Sequence, residues 1–210
     1  MRFIKIYGEQ NSGTIYLEWL LNKNLDTTLL DSYEFGWKHR IAPSEDELTD
    51  KIKQEVLFLC LVKNPYSWLI SMHKRPYHHE SLRKLSFLDF LNYSYGDYRN
   101  PIAMWNAKNA SYVKMSDFVK FHEILKYEDI LMDPAGFINK MADKYSFPKP
   151  AMFKNMSNLI TNSHGIKSQQ FHKEYYLTEE WRKNLRHDHV KQINEWLDRS
   201  LMEKLNYSIL

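Results

Sequence analysis

The sequence predicts an α/β protein of three layers, in which a mostly parallel central sheet carries helices on both faces. Short apolar or β-prone runs alternate along the 210 residues with segments of helical character. Several of the helical segments begin at a recognisable cap residue, and no internal repeat or linker divides the chain. Since this length suits one folding unit, we expect a single domain over residues 1–210.

Four segments are predicted as strands because they are apolar or β-prone and are bounded by loop residues. They span residues 3–7, 32–37, 55–62 and 121–126. The third is continuously apolar, as expected of a central parallel strand, and the second has the weakest pattern. Because helical segments separate the strands, we expect them to run parallel in one sheet.

Cap residues mark most of the helix starts. Ser86, Asn100 and Asp133 each precede a helical segment, and Pro follows the last two. Ser44 opens the capping box Ser-Glu-Asp-Glu, which predicts a helix running to about Gln54. The remaining helices are predicted over Thr14–Leu21, Tyr66–Lys74 and, as a terminal pair, Thr178–Leu205.

Composition excludes several classes of protein. With 43% hydrophobic and 26% charged residues the chain is not a disordered one, and a net charge of +3 gives no electrostatic case for nucleic-acid binding. The one cysteine, Cys60, excludes a disulfide framework and a cysteine-rich metal site. No apolar run is long enough to span a membrane, and no signal-peptide region begins the chain. A complete chain is therefore expected in the cytoplasm, while an anchor removed with a missing segment stays an open alternative.

A glycine-containing loop follows the first predicted strand and opens the first helix. It reads Gly-Glu-Gln-Asn-Ser-Gly-Thr over residues 8–14. The N–H groups and dipole of a helix N-terminus attract anions, and glycine lets the backbone approach a ligand closely. The spacing resembles a Walker A loop, although the lysine of that motif is absent. On these residues alone, a phosphate site and a ligand-free turn are equal alternatives.

A second candidate for anion binding follows the apolar third strand. Lys63-Asn64-Pro65 stands at the carboxyl end of that strand, and Ser71 lies about two turns into the next helix. Parallel sheets bind their ligands in the crevice at the carboxyl ends of the strands. A cation and a hydroxyl at this place can hold one phosphate between them.

Together these segments resemble sulfotransferases that use 3′-phosphoadenosine 5′-phosphosulfate (PAPS). Residues 8–14 are similar to the family's 5′-phosphosulfate loop, and residues 63–65 with Ser71 are similar to its 3′-phosphate motif. Residues 126–130, Lys-Tyr-Glu-Asp-Ile, resemble the family's Tyr-Glu-Asp segment, whose tyrosine lies near the adenine. The matches run in family order over about residues 3–134. The resemblance implies a P-loop-like sulfotransferase fold, PAPS as the donor and no metal. The residues that it assigns to the donor are Gly8, Gln10, Asn11, Ser12, Gly13, Thr14, Ile15, Lys63, Ser71 and Tyr127.

Two residues depart from the family pattern. The family loop often carries Lys or Arg just before Ser-Gly-Thr, where this chain has Asn11. Lys63 replaces the usual Arg, and a lysine lacks the bidentate fork with which arginine binds phosphate. The first departure leaves the catalytic cation open, and the second predicts a weaker affinity for the nucleotide.

The acceptor side is predicted around residues 36–39, Gly-Trp-Lys-His, which end the second predicted strand. Similar sulfotransferases carry Lys and His at this point, with His as the base, and this implies His39 in that role. The ordinary pKa of histidine, ~6.5, suits a base. Lys38 would supply the missing cation if its side chain faces the cleft. Without the resemblance, His39 is interpreted as an ordinary loop histidine.

Weaker resemblances extend the match. Residues 105–106, Trp-Asn, and residues 175–176, Tyr-Tyr, are similar to family positions but less specific. Residues 165–168 are a candidate for a late loop that closes on the nucleotide, on their position alone. The basic stretch over residues 73–84 has two equal interpretations, an acceptor-side wall and a solvated helix end.

The function that the resemblance implies is transfer of a sulfonate from PAPS to a hydroxyl of a carbohydrate or small metabolite, by in-line displacement. By analogy with phosphoryl transfer, the protein mainly positions groups and stabilises charge. One alternative is a P-loop small-molecule kinase, against which the missing Walker lysine and the lack of a clear Asp for Mg²⁺ both argue. The other is a nucleotide-binding module without catalysis, which Asn11 favours. The expected partner is a hydroxyl-bearing acceptor, with glycans included, and the oligomeric state stays open.

Overall fold

The computed structural model describes residues 3–77, 79–156 and 173–210. At its centre lies a four-stranded sheet in the order β2-β1-β3-β4, in which each neighbouring pair is parallel. The strands are β1 (Phe3–Gly8), β2 (Thr28–Leu29), β3 (Val56–Val62) and β4 (Phe121–Lys126). The predicted α/β class with a parallel sheet is confirmed.

Helices fill the connections between the strands and the carboxyl-terminal part of the chain. Within the described ranges they are α1 (Thr14–Asn24), α2 (Asp50–Glu55), α3 (Pro65–Lys74), α4 (Phe87–Leu91), α5 (Pro101–Lys114), α6 (Tyr127–Met132), α7 (Pro134–Tyr145), α8 (Lys173–Leu177), α9 (His187–Trp196) and α10 (Arg199–Lys204). The side chains of Ser86, Asn100 and Asp133 cap α4, α5 and α7 as predicted. None of the helices in these ranges is both long enough and apolar enough to cross a membrane.

The sheet separates two apolar layers, because alternate residues of a strand face opposite sides. On β3, Leu57 and Leu59 pack in a buried cluster with residues of α1, α6 and α7. Their neighbours Phe58 and Cys60 pack on the other face, with Tyr112 of α5. The predicted apolar third strand is therefore buried on both faces, and Cys60 is a core residue as its surroundings indicate.

The predicted strand over residues 32–37 is wrong. This segment consists of turns, in which Phe35 has φ +56° and Gly36 has φ +88°. These left-handed conformations do not fit an extended strand. The edge strand is instead β2, which precedes the turns and pairs with β1 over two residues.

The single helix predicted after Ser44 is divided in two. The capping box at Ser44 is present, but it opens a 3-10 turn over residues 45–47. Thr49 then caps α2 by accepting from the backbone N–H of Ile52. The predicted terminal pair of helices corresponds to α9 and α10, with a further 3-10 turn over residues 180–184 before them.

Candidate functional site

Residues 8–14 connect the carboxyl end of β1 to the start of α1. Gly13 precedes α1 with φ +93°, and no side chain caps the helix. Inside the loop, the N–H of Ser12 donates to the carbonyl of Glu9 at 3.1 Å. No described residue accepts a hydrogen bond from the backbone N–H of Asn11, Gly13 or Thr14. The loop and the helix start therefore present donors that suit an anion.

Side chains around the loop fix its conformation. The carbonyl of Gln10 accepts from the indole Nε1 of Trp68 at 2.8 Å. Ser12 and Thr14 are buried, whereas Ile15 is 52% exposed on the first turn of α1. The residues of this segment that were predicted to bind the sulfonate donor therefore lie together at the helix N-terminus, and Ile15 lies on its solvent-exposed side.

Tyr127, the first residue of α6, packs directly against the loop. A Cβ atom added to Gly13 would lie 2.3 Å from the Tyr127 ring, so both this contact and the positive φ require glycine. Burial raises the pKa of Tyr127, so its hydroxyl is neutral at physiological pH. The structure brings Tyr127, which the resemblance assigns to the sulfonate donor, to the loop at residues 8–14.

Lys63 and Ser71, predicted as a pair, are in contact. The Lys63 Nζ donates to Ser71 Oγ at 3.0 Å and to the carbonyl of Asn11 at 3.2 Å. Lys63 is only 2% exposed, and burial lowers its pKa. The pair therefore adjoins the loop, and its amine lies inside the protein.

Tyr176 of α8 covers this pair. The Lys63 Nζ is 4.2 Å from the centroid of the Tyr176 ring and 5.3 Å from that of Tyr127. Burial by itself would raise the pKa of Tyr176, but the charge of Lys63 and hydrogen bonds with Ser71 and Lys63 lower it. A phosphate bound to Lys63 and Ser71 would have to replace this phenol. In the sequence, Tyr176 is indicated only by the weak similarity of residues 175–176 to positions of the family.

Asn11 is bound to the end of α3. Its backbone is left-handed, with φ +63°, and its Nδ2 donates to the carbonyl of Arg75 at 3.1 Å and to the sulfur of Met72 at 2.9 Å. Its carbonyl accepts from Lys63. Asn11 thus offers a ligand its backbone N–H, while its side chain ties the loop to α3.

His39 lies against the carboxyl end of β1. Its Nδ1 is 2.5 Å from the carbonyl oxygen of Gly8. Because a carbonyl only accepts, Nδ1 carries the proton and Nε2 keeps its lone pair. Burial and, to a smaller extent, the charges of Lys38 and Lys108 lower the pKa of His39 to about 4. The ring is therefore neutral at pH 7 and has a nitrogen able to accept a proton.

The amine of Lys38 is bound to α1. It forms an ion pair with Glu18 at 2.7 Å, and both side chains line a cavity of about 210 Å³ together with Asp31. The carbonyl of Lys38 accepts from the N–H of Gly8 at 3.0 Å. The structure thus brings the backbone of Lys38 to the loop, and its amine to Glu18.

The turns that precede His39 are anchored from β1. The Lys5 Nζ donates to three carbonyls between residues 31 and 36, at 2.9 to 3.1 Å. The hydroxyl of Tyr7 donates to a fourth, that of Phe35, at 2.7 Å. Lys5 is 1% exposed, and burial lowers its pKa to about 8. A lysine within a β-prone run gave no sign of this role in the sequence.

In the ranges that the structure describes, no group of three or more His, Cys, Asp or Glu residues is placed to hold a metal ion. The candidate closing loop at residues 165–168 lies outside the described residues.

Comparison with solved structures identifies the fold. A sulfotransferase from Alicyclobacillus acidocaldarius matches over 99% of this chain and 97% of its own, with a TM-score of 0.51 and 11% sequence identity. At that identity the likeness assigns the fold and leaves the activity open.

Two sulfotransferase domains give lower TM-scores. One is from the Synechococcus PCC 7002 olefin synthase, at TM-score 0.49 and 14% identity, and the other is from the curacin biosynthetic pathway, at 0.46 and 13%. Each match covers 88% of this chain, which spans 60% and 63% of the two solved chains. No protein-family model matches the sequence, and no curated protein matches it.

Proposed function

Because the chain has a sulfotransferase-like fold, we propose that it transfers a sulfonate group from PAPS to a hydroxyl of a carbohydrate or small-metabolite acceptor. The observation that carries the proposal is the contact between two anion-binding elements from distant parts of the chain. Lys63 binds Ser71 and, at 3.2 Å, the carbonyl of Asn11 in the loop. PAPS carries anionic groups on both its 5′ and its 3′ side, so it suits two adjoining sites of this kind.

Each of the two sites binds a different part of PAPS. The N–H groups at the start of α1 take the 5′-phosphosulfate, where the helix dipole also favours negative charge. Lys63 and Ser71 take the 3′-phosphate after the phenol of Tyr176 has left them. Tyr127, packed on Gly13, borders the adenosine.

The reaction is an in-line displacement at sulfur. The acceptor oxygen forms a bond to sulfur while the bond from sulfur to the bridging oxygen breaks, and adenosine 3′,5′-bisphosphate leaves. Nε2 of His39 takes the proton of the acceptor hydroxyl, since the bond from Nδ1 to Gly8 fixes the tautomer. The N–H groups of the loop stabilise the charge that develops on the leaving oxygen. The assignment of Lys38 as a catalytic cation stays a prediction, because its amine pairs with Glu18.

One observation favours a second candidate, a nucleotide-binding module without catalysis. The family often has a cation at the position of Asn11, and the Asn11 side chain here is bound to Met72 and Arg75. Such a module would bind the nucleotide by the same residues and transfer nothing.

The test is an acceptor screen with PAPS labelled in its sulfonate group, run with EDTA present. We expect label on at least one hydroxyl-bearing acceptor, and none when 5′-AMP sulfate lacking the 3′-phosphate replaces PAPS at the same concentration. Nucleotide binding without transfer to any acceptor would support the module. Turnover that needs ATP and Mg²⁺ would support a kinase and contradict the proposal.

A further inference from the structure

A buried ion pair adjoins both His39 and the loop at residues 8–14, which is proposed to bind the 5′-phosphosulfate and is called the phosphate loop below. Lys108 of α5 is 8% exposed, and its Nζ donates to the carbonyl of His39 at 2.7 Å. The same amine forms an ion pair with Glu9, which is 3% exposed. Neither residue belongs to the set predicted from the sequence, and the fold alone brings them together.

The carboxylate of Glu9 lies inside the loop that is proposed to bind an anion. Its Oε1 accepts from the N–H of Gln10 at 2.7 Å, so the carboxylate is part of the loop structure. Burial raises the pKa of Glu9, and the charge and hydrogen bond of Lys108 oppose that rise. A carboxylate left here without a cation would be costly to bury and would repel a phosphate. Lys108 supplies the charge that balances it.

Lys108 also completes the set of contacts on the segment that carries His39. The N–H of Gly8 donates to Lys38, His39 Nδ1 binds the carbonyl of Gly8, and Lys108 binds the carbonyl of His39. The imidazole is thus held by β1 and its backbone by α5. Catalytic groups must be held in position to within a fraction of an ångström, so the loss of one such contact lowers the turnover rate.

We propose that Lys108 is a positioning residue, which holds His39 against the phosphate loop and balances the charge of Glu9 so that the loop can accept an anion. The consequence for turnover rests on the proposed function. The consequence for nucleotide affinity requires only that the loop binds a phosphate.

The first test is calorimetric titration with adenosine 3′,5′-bisphosphate. Lys108→Met should weaken binding about tenfold or more at pH 8 and less at pH 5, because the unpaired carboxylate of Glu9 repels the anion when it is ionised and no longer does so once it takes up a proton. In the double variant Glu9→Gln, Lys108→Met no charge is left unpaired, so affinity should return to within about threefold of the wild type. Lys114→Met, at an exposed position on the same helix, is the control and should change nothing.

Two outcomes of this titration would overturn the charge-balancing role: an unchanged affinity in Lys108→Met, or a double variant as weak as the single one. If Lys108→Met does not fold, the neutral double variant and Lys108→Arg decide the question. Lys108→Arg keeps the charge and should bind the nucleotide within about threefold of the wild type, whereas a tenfold loss there would overturn the role.

The second test separates positioning from binding. The double variant should lose about tenfold or more in kcat while the KM for PAPS changes little, because the His39 carbonyl has lost its donor. An unchanged kcat would overturn the positioning role.

The third test needs no activity. Besides Lys108, the charged groups that face His39 are Lys38 and, through the ion pair, Glu9. The imidazole of Lys108→Met, followed by NMR, should titrate above its wild-type midpoint of about 4, because a neighbouring cation is gone and no anion is removed with it. An unmoved midpoint would contradict the contact between Lys108 and His39. A wild type that does not bind the bisphosphate contradicts the proposed function and leaves this titration as the test of Lys108.

Discussion

The chemistry of His39 depends on three neighbouring groups, the carbonyl of Gly8 and the ammonium groups of Lys38 and Lys108. Burial and the two cations lower its pKa to about 4, while the bond to Gly8 partly opposes them. Since the imidazolium form cannot accept a proton, activity should be lost only as the pH falls through about 4. We expect kcat/KM to be flat from about pH 8 down to about pH 5. A profile that falls with a midpoint near ~6.5, the ordinary pKa of histidine, would contradict this account of the base.

Removal of the His39 side chain tests its role directly. His39→Ala should lower kcat by about two to four orders of magnitude, the usual range for a general base. The affinity for adenosine 3′,5′-bisphosphate should hardly change, because His39 acts on the acceptor. His187→Ala, at an exposed position on α9, is the control. Near-normal turnover of His39→Ala would exclude His39, and Glu34 in the preceding turns would become the candidate base.

Tyr176 competes with the phosphate that Lys63 and Ser71 are proposed to bind. Tyr176→Phe removes the hydroxyl and should raise the affinity for adenosine 3′,5′-bisphosphate about three- to tenfold, the worth of one neutral hydrogen bond. Tyr175→Phe, whose hydroxyl binds Asn184 instead, should leave the affinity unchanged. Calorimetric titration of both variants makes the comparison. A loss of affinity in Tyr176→Phe would mean that the phenol itself holds the nucleotide.

At the scale of secondary-structure elements, the turn from β1 into α1 depends on Gly13. Gly13→Ala combines a left-handed backbone, φ +93°, with a Cβ placed 2.3 Å from Tyr127. We expect it to lower the free energy of unfolding by roughly 2–4 kcal/mol, and to abolish nucleotide binding. Gly96→Ala is the matched control, because Gly96 also has a positive φ but nothing lies within 4 Å of the added Cβ. It should cost about 1–2 kcal/mol. Equal losses in urea unfolding would contradict the packing of Tyr127 on the loop.

The elements that the sequence predicted well are those with a local signal. β3 has a continuous apolar run, and Asn100 and Asp133 cap their helices with proline next in sequence. The segment 32–37, wrongly predicted as a strand, has β-prone residues, yet Lys5 binds two of its carbonyls and Phe35 takes a left-handed conformation. A two-residue strand such as β2 is too short for any periodic pattern.

The residues of the candidate site likewise fall into those that a local sequence pattern predicts and those that it does not. Lys63 and Ser71 could be paired in advance, because the end of a strand and the second turn of the next helix are neighbours in any such unit. Tyr176 reaches them from α8, and Lys108 reaches Glu9 from α5. Contacts of that kind depend on how distant elements pack, and local sequence patterns do not record them.

At the scale of the whole molecule, histidines whose pKa is lowered in the folded state make stability depend on pH. The folded pKa of His39, about 4, lies below the unfolded value of ~6.5, so the unfolded chain binds the proton first as the pH falls. His122, which is half-buried, and His189, which is buried, also have lowered pKa values and act in the same direction. This stability is therefore complete above about pH 6.5 and is lost as the pH falls from there toward 4.

Urea unfolding at pH 7 and pH 5 measures this dependence. Between the two, the wild type should lose on the order of 2 kcal/mol more than His39→Gln, which does not titrate in this range. An equal loss in both proteins would mean that His39 titrates normally in the folded state.

The central claim is that the fold holds two adjoining anion sites, one for each side of a 3′-phosphorylated nucleotide. Calorimetric titration of Lys63→Ala with adenosine 3′,5′-bisphosphate and with 5′-AMP, in EDTA, tests it most directly. We expect a loss of about ten- to a hundredfold for the bisphosphate, from one charge-assisted hydrogen bond, and almost none for 5′-AMP. Lys63→Arg should restore binding, Ser71→Ala should give a smaller loss in the same direction, and the exposed Lys51→Ala should give none. Equal losses of the two nucleotides in Lys63→Ala would contradict the claim, because Lys63 would then act on the 5′ side or on the fold alone.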